Sequence, residues 1–197
     1  MESTWGIEGW QPRWYSSPAD VAEREGAQLQ ELVGRTVARA WGVWIVEENE
    51  WFADLPVILE IGSQRVTVCV NRLEDLSITW DDPIDTTTGP TWWNDWTLQW
   101  RSDVHPALQD AVGRTVTAVG LTEYDFRLTD LSNGQVSSAW VLTGLALALG
   151  DTGLWVHNAC DENGLQTGLP PEDHEHRTTW LDPAPRATPP HGAPFFR

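Results

Sequence analysis

The stretch Leu29-Gln-Glu-Leu-Val-Gly-Arg-Thr-Val37 recurs in the same 197-residue chain as Leu108-Gln-Asp-Ala-Val-Gly-Arg-Thr-Val116. Seven of the nine positions are identical, and an eighth exchanges Glu31 for Asp110. A repeat of this length within one chain is the sequence signature of a duplicated structural unit. The match therefore decides the predicted fold, and we place every other segment relative to it.

A second set of matches lies downstream of the first. Asn71, Glu74 and Asp75 stand opposite Asn158, Asp161 and Glu162, and the offset between the copies rises from 79 to 87 residues. An insertion of eight residues in the second copy accounts for the change, and the polar stretch 131–138 could hold it. We therefore predict two copies, 17–95 and 104–182, preceded by an N-terminal extension, 1–16, and joined by a linker, 96–103.

Each copy has the pattern of a helix followed by strands. Ser17, Pro18 and Asp20 are typical of an N-cap, a first helical position and an acidic first turn, and Gly34 is placed as the glycine that ends the helix. Alternating apolar residues then predict four strands in each copy. The predicted class is α+β, with each copy a helix followed by a four-strand antiparallel meander. The two copies could pack as a pseudo-twofold continuous sheet, a sandwich or a barrel. The tail 183–197 has five prolines in fifteen residues and is predicted to be disordered.

The composition excludes several functions. Twenty-nine acidic residues against twelve basic ones give a net charge of −17, and such a chain should repel the phosphates of nucleic acids. Hydrophobic runs fall short of the roughly 20 residues that a membrane span needs, and residues 1–20 lack the pattern of a secretory signal. We therefore expect a cytoplasmic protein that binds neither nucleic acid nor membrane, and whose charge suits a basic protein partner.

Known catalytic and metal-binding motifs are missing from the sequence. It contains no GxSxG, P-loop, HExxH or paired CxxC pattern, and Cys69 lies in an apolar stretch that should bury it. The Asn-acid turns of the two copies could hold a divalent cation through oxygen, but turn chemistry alone explains these residue types. The tract Asp173-His174-Glu175-His176 lacks a third ligand group. We therefore predict no enzyme activity, no metal and no cofactor.

One segment of the second copy resembles a known kind of protein. The stretch Leu154-Trp-Val-His-Asn-Ala-Cys-Asp-Glu-Asn-Gly-Leu165 is similar to the strand-then-N-A-x-D-E-N ending of small, acidic, uncharacterised actinobacterial proteins. Some proteins of that kind lie beside toxin genes and are taken to be immunity proteins. The resemblance implies an immunity or antitoxin function and supplies no catalytic residue. The first copy has Arg72-Leu73 in place of Ala159-Cys160, so the two copies need not share a role.

Acidic loops beside tryptophans are the predicted contact surface, because aromatic anchors rimmed by charge are the usual anatomy of a tight interface. Fourteen tryptophans make this chain exceptional in composition. The predicted partner-binding residues are Glu47, Glu48, Glu50, Trp51, Asp54, Trp80, Asp81, Asp82, Asp85, Trp92 and Trp93.

Two other functions stay open at this stage. The chain could bind a small molecule or a carbohydrate, with or without hydrolysis, in a tryptophan-lined cleft between the two copies. It could also be a structural scaffold in which the duplication completes a core. The first hypothesis remains a protein-binding module of immunity type that blocks a basic partner, such as a toxin domain.

Overall fold

The computed structural model describes residues 5–91 and 95–181. This part of the chain forms two antiparallel sheets and two helices, α1 (Pro18–Glu31) and α2 (Pro106–Ala111). The strands of the first sheet are β1 (Trp14–Tyr15), β2 (Val37–Ile45), β3 (Glu50–Phe52), β4 (Val57–Ile61), β5 (Gln64–Asn71), β6 (Asp75–Trp80) and β7 (Leu98–Arg101). Those of the second sheet are β8 (Ala118–Thr129), β9 (Val136–Leu149), β10 (Thr152–Asn158), β11 (Asn163–Thr167) and β12 (His176–Trp180).

The strand order shows how each sheet is assembled. The first sheet runs β1-β6-β5-β4-β2-β3, and β7 also pairs with β2. The second sheet runs β11-β10-β9-β8-β12, so its last strand returns to the edge beside β8. Side chains from both sheets and both helices share one hydrophobic core, which packs the two sheets against each other.

The first sheet is covered on both of its faces. Val66, Val68 and Val70 of β5 face the shared core, whereas Cys69 between them belongs to a second cluster on the outer face. Residues of an antiparallel strand alternate between faces, so this strand is apolar on both sides because both are covered. The N-terminal segment supplies part of the outer cover, since Ile7 and Trp10 are buried in the second cluster.

The two copies of the repeated stretch contact each other directly. The Gly34 and Gly113 amides donate to the carbonyl oxygens of Val116 and Val37, each at 2.8 Å. The Val37 and Val116 amides donate in turn to the backbone carbonyl oxygens of Arg114 and Arg35, at 2.9 and 2.8 Å. Both glycines have φ +84, a left-handed conformation that favours glycine. Four reciprocal bonds therefore join the starts of the two sheets.

The predicted start of the first helix is confirmed. Ser17 is the N-cap, and its hydroxyl oxygen accepts the Asp20 amide at 3.2 Å, while Pro18 holds the first helical position. The helix ends at Glu31, and Leu32 is its C-cap. Local capping chemistry accounts for where this helix begins.

The predicted α+β class is wrong, because the described residues are mostly β. They contain helices of 14 and 6 residues against twelve strands. The predicted unit, a helix followed by a four-strand meander, is wrong as well. β1 forms in the predicted N-terminal extension, β3 forms between two predicted strands, and β7 forms in the predicted linker. β1 and β3, of two and three residues, are too short to show an alternation of their own and form because a neighbouring strand pairs with them. β7 does alternate, with Leu98 and Trp100 buried and Gln99 exposed, but the prediction assigned this stretch to the linker. The predicted disordered tail, 183–197, lies outside the described residues.

Candidate functional site

Antiparallel pairing places the turns of the chain at two opposite ends of the first sheet. β2 and β5 run in one direction, and β4 and β6 run in the other. The turns 46–49, 53–56 and 72–74 therefore lie at one end, and β6 finishes at the other. The turn 159–162 of the second sheet lies at the same end as these three turns, because Asn158, just before it, is hydrogen-bonded to Arg72. We call this the acidic end because it carries Glu47, Glu48, Glu50, Asp54, Glu74, Asp75, Asp161 and Glu162.

The first group of predicted contact residues lies at the acidic end. Glu48 and Glu50 are exposed. Glu47 accepts hydrogen bonds from the Thr97 amide at 2.9 Å and the Thr97 hydroxyl at 2.6 Å, which lowers the pKa of its carboxyl and keeps it ionised. Trp51 is half-buried, with its ring edge-on to His105 at 5.2 Å. Glu48, Glu50 and Asp54 are thus exposed acidic members of this group.

The second group, Trp80, Asp81, Asp82 and Asp85, lies at the opposite end. Its side chains form hydrogen bonds that stabilise the local backbone. The Trp80 indole N–H donates to Glu25 at 2.8 Å, and the Arg65 amide donates to Asp81 at 2.9 Å. Asp82 accepts the Thr79 hydroxyl. Asp85 accepts the Thr87 amide and hydroxyl, at 2.9 and 2.7 Å. The structure therefore does not bring the two predicted groups together. Trp92 and Trp93 lie outside the described residues.

The two Asn-acid turns, by contrast, meet at the acidic end. The Asn158 side-chain amide donates to the carbonyl oxygen of Arg72, which joins the β10–β11 turn to the β5–β6 turn. The Asn158 side-chain oxygen accepts a hydrogen bond from the Asp161 amide at 3.1 Å, a local turn bond of the kind expected from this residue type. Arg72 and Asp161 have φ +53 and +74. Turn chemistry thus explains Asn158, and the contact between the two turns brings the four carboxylates of Glu74, Asp75, Asp161 and Glu162 to one end.

Asn163 is the residue of this region that the sequence analysis gave no role. It is 1% exposed, and its side-chain amide donates to the carbonyl oxygens of Ala53 at 2.6 Å and Leu55 at 3.0 Å. Its side-chain oxygen accepts the Val70 amide at 2.8 Å. Asn163 therefore connects the second sheet to two segments of the first. Its place directly after Asp161-Glu162, at the start of a strand, was the signal available in the sequence.

Crowding of acids at this end changes their ionisation. Burial, followed by the charge of Asp54, raises the pKa of Glu162. Partial burial of its carboxyl raises the pKa of Asp54 as well. A nearby positive charge would favour the ionised form of both carboxyls. The acidic end is consequently a site that favours the approach of cations.

An aromatic pocket of about 330 Å³ opens beside these turns on the outer face of the second sheet. Trp155 and His157 stack with their centroids 4.1 Å apart, and Trp155 donates to the Thr122 hydroxyl oxygen at 3.2 Å. His176 lies edge-on to Trp155 at 6.0 Å and tilts against Tyr124 at 5.3 Å. The pocket, which we call the aromatic pocket, is lined by Leu73, Tyr124, Phe126, Val141, Thr143, Trp155, His157, Asn158, Cys160, Asp161 and His176.

The histidines of the aromatic pocket differ in their surroundings. Burial lowers the pKa of His157, and its buried Nδ1 has no hydrogen-bond partner among the described atoms. His176 Nδ1 lies 2.9 Å from Asp173. One wall of the pocket is therefore a neutral imidazole stacked on an indole, a surface suited to apolar or aromatic side chains.

A long hairpin, formed by the ends of β8 and β9, projects past the acidic end. Residues 127–140 are all exposed, and they include the polar stretch in which an insertion was predicted. Four large apolar side chains on it are exposed: Leu128 at 58%, Leu131 at 97%, Val136 at 60% and Trp140 at 38%. We call residues 127–140 the hairpin arm. Phe126, at the base of the arm, also lines the aromatic pocket.

The two cysteines should differ in reactivity. Burial raises the pKa of the Cys69 thiol to about 12, whereas Cys160 is exposed at the rim of the aromatic pocket. At pH 8 roughly one part in 10,000 of a thiol with that pKa is ionised, and the thiolate is the reactive form. We expect one thiol per folded chain to react rapidly with an aromatic disulfide reagent, and none in Cys160→Ser. Two rapidly reacting thiols in the folded chain would contradict this.

Metal and membrane features can be stated only for residues 5–91 and 95–181. Within them, no three or more His, Cys, Asp or Glu side chains are grouped so that they could hold a metal ion. The same residues include no helix of the length and apolarity needed to cross a membrane.

Known proteins offer no match for this chain. Neither a protein-family model, nor a curated protein, nor a solved structure shows significant similarity to it.

A second cavity among the described residues is lined by several tryptophans of the segments that flank the first copy. It lies on the outer face of the first sheet, between the N-terminal segment and the loop that follows β6. All of its lining residues precede residue 101.

Proposed function

We propose that this chain is a cytoplasmic protein-binding module of the immunity or antitoxin type, and that its partner is a basic protein. The observation that carries the proposal is the hairpin arm, which holds Leu128, Leu131 and Val136 in solvent beside the acidic end. Leu128 lies on the same face of the hairpin as Phe126, whereas Val136, which pairs with Thr129, lies on the opposite face. Exposed apolar side chains such as these commonly mark an interaction surface. Here a rim of carboxylates adjoins them, which is the arrangement of an interface with a basic partner.

The distribution of charge supports a basic partner. Seven arginines form ion pairs with six carboxylates of the same chain, so most of the described positive charge is already neutralised. The pairs nearest the arm, Arg127–Asp125 and Arg177–Glu123, follow this rule. The carboxylates of the acidic end outnumber the basic residue of its turns, Arg72. An uncompensated field of one sign accelerates the encounter with a partner of the opposite sign.

The arm and the aromatic pocket would act together in binding. Phe126 and Tyr124 lead from the arm into the pocket, whose aromatic walls can receive an apolar side chain of the partner. Leu128 of the arm continues the face of β8 that carries Tyr124 and Phe126. The proposed interface is thus an apolar centre with carboxylates around it, and the free energy of binding comes mainly from the centre.

Capture with matched variants tests this function. The immobilised chain, the arm variant Leu128→Ser/Leu131→Ser/Val136→Ser and the control variant Val112→Ser/Leu169→Ser are each exposed to a lysate of the source organism. The control removes two apolar side chains of 42% and 38% exposure that lie outside the arm. We expect wild type and control to retain the same basic protein and the arm variant to lose it. Retention of that protein by all three would contradict the proposal.

Once the captured protein is purified, the salt dependence of its association rate constant tests the electrostatic part of the proposal. The screening length falls from about 10 Å at 0.1 M salt to about 3 Å at 1 M. We therefore expect the association rate constant to fall at least about tenfold across that range, as is typical of electrostatic steering. Cytochrome c, a basic protein with no designed fit, serves as the comparison and should bind far more weakly at every salt concentration. A rate constant indifferent to salt, or a partner that is acidic, would overturn the proposal.

A further inference from the structure

We propose that the basic partner adds an extended segment of its chain, as a new strand, to the free side of β9 in the hairpin arm. This inference rests on the proposed function and names the manner in which the partner docks. It concerns residues 136–140, which are exposed and pair with β8 on one side. Within residues 5–91 and 95–181, no strand pairs with their other side, because β10 joins β9 only at 144–149. We call this open side of residues 136–140 the β9 edge.

The backbone groups of the β9 edge point away from β8. Asp125 pairs with Trp140, but the Asp125 amide donates to the carbonyl oxygen of Glu175 at 2.8 Å, so it points away from β9. In an antiparallel ladder such pairs alternate with hydrogen-bonded ones, and both of their residues direct N–H and C=O groups outward. The amides of Val136, Ser138 and Trp140 therefore face the open side, where an added strand can accept hydrogen bonds from them.

The two strands of the arm differ in their protection against strand addition. β8 carries the charged residues Asp125 and Arg127 in the arm, and charges on an edge strand oppose pairing with another chain. β9, Val136–Leu149, contains no charged residue and no proline. An exposed edge of this composition is a template for pairing with an extended segment. Strand addition is therefore expected on β9 rather than on β8.

The aromatic pocket lies next to the β9 edge. β10 leaves β9 beyond the pair of Gly144 with His157, and the pocket lies there, between β9, β10 and the turn 159–162. Ala139 of the edge pairs with Phe126, which lines the pocket, and directly opposed side chains share one face of a sheet. A residue of the added strand opposite Ala139 therefore lies on the face that holds the pocket. Apolar side chains on that face of the segment fit its apolar walls.

The charges beside the pocket favour a basic segment. The two turns that adjoin the pocket hold more acidic residues than basic ones, namely Glu74, Asp161 and Glu162 against Arg72. A second copy of this chain is the less favourable occupant, because each copy carries a net charge of −17 and two copies repel each other. The occupant is therefore an extended segment with apolar side chains on one face and basic residues at the end that meets the turns.

A labelled peptide tests the docking without the unidentified partner. The probe is acetylated Thr-Val-Thr-Phe-Thr-Val-Arg-Arg, and fluorescence anisotropy measures its binding to the full chain. One isomer is N-methylated at the threonines and a second at the valines and phenylalanine, so each isomer blocks one side of the extended peptide. We expect one isomer to bind at least about tenfold more weakly than the other, since only one side bonds to the β9 edge. Equal affinities of the two isomers, or no binding of the unmethylated peptide, would overturn the proposal.

Proline variants on the two strands of the arm locate the site. Ser138→Pro removes an outward amide of β9 without removing a hydrogen bond to β8, and Thr129→Pro does the same on β8 as the matched control. We expect the first to weaken peptide binding at least about tenfold and the second to leave it unchanged. An equal loss in both variants would contradict docking at the β9 edge. Circular dichroism checks the fold, and if Ser138→Pro does not fold, the isomer comparison on the wild-type chain decides.

This inference and the proposed function can fail separately. A captured basic protein that is retained by Ser138→Pro and lost by the arm variant would overturn strand addition and leave the proposed function intact. If the wild-type chain captures no basic protein, the proposed function fails, while the two isomers still decide whether the β9 edge accepts a strand. Sedimentation of the wild-type chain as a dimer and of Ser138→Pro as a monomer would identify a second copy as the occupant and overturn the proposal.

Discussion

Replacing Asn163 by alanine is expected to lower the free energy of unfolding by about 3 kcal/mol or more, since three hydrogen bonds are lost and buried backbone groups are left without a partner. Those groups are the Val70 amide and the Leu55 carbonyl oxygen, which the buried Asn163 side chain now satisfies. Urea denaturation followed by circular dichroism measures the change. For a chain of this length the loss corresponds to a drop of roughly 10 °C in Tm.

Two further variants serve as comparisons for Asn163→Ala. Asn163→Asp keeps the acceptor for the Val70 amide but loses the two donated bonds and buries a charge, so it should be at least as destabilising as alanine. Asn133→Ala is the matched control, because Asn133 also hydrogen-bonds through its side chain but is exposed in the hairpin arm. We expect less than about 1 kcal/mol from that control. A similarly small effect of Asn163→Ala would show that the connection between the sheets does not depend on this side chain.

Replacing Glu25 by alanine is expected to have an effect of the same order, a loss of about 2–4 kcal/mol, because it strips a buried carboxylate from several donors. Glu25 is 4% exposed, and it accepts hydrogen bonds from the Tyr15 hydroxyl and from Trp80 at 2.8 Å. Arg13 lies 3.5 Å from the same carboxylate. The substitution would leave the Tyr15 hydroxyl and the Trp80 indole N–H without this acceptor. Urea denaturation at pH 7 gives the measurement.

Helix α1 supplies the control for this experiment. Glu23→Ala changes a glutamate of the same helix that is exposed, so it should alter the free energy of unfolding by less than about 0.5 kcal/mol. Glu25→Gln retains an acceptor for Trp80 and should fall between wild type and alanine. If Glu25→Ala matched Glu23→Ala, the network around Glu25 would contribute nothing measurable to stability.

Helix α1 illustrates which features a local sequence pattern can predict and which it cannot. Ser17 and Pro18 predict the start of α1 because capping involves groups within one helical turn. Glu25, on the same helix, has no such signal: its partners Tyr15 and Trp80 come from β1 and β6. An isolated glutamate on a helix is ordinarily solvated, so its burial follows from packing of the helix on the sheet.

The same limit applies to the predicted contact residues. The sequence analysis grouped acids with tryptophans that are close in sequence. Closeness in sequence implies closeness in space only within one loop. Glu48 and Asp81 carry similar signals, yet antiparallel strands send them to opposite ends of the first sheet. The aromatic pocket draws Leu73, Phe126 and His157 from three separate turns and strands, and no spacing in the sequence relates them.

What the sequence determined by itself was the set of structures maintained by neighbouring residues. The helix cap at Ser17, the alternation of Val66, Val68 and Val70, and the burial of Cys69 all follow from local periodicity and are present in the structure. Tertiary structure alone decided the class, mostly β, because edge strands as short as Trp14–Tyr15 form only when a neighbour supplies hydrogen bonds. It also decided the acidic end and the aromatic pocket, because strand order and sheet packing, which depend on contacts far apart in sequence, determine which turns and rings meet.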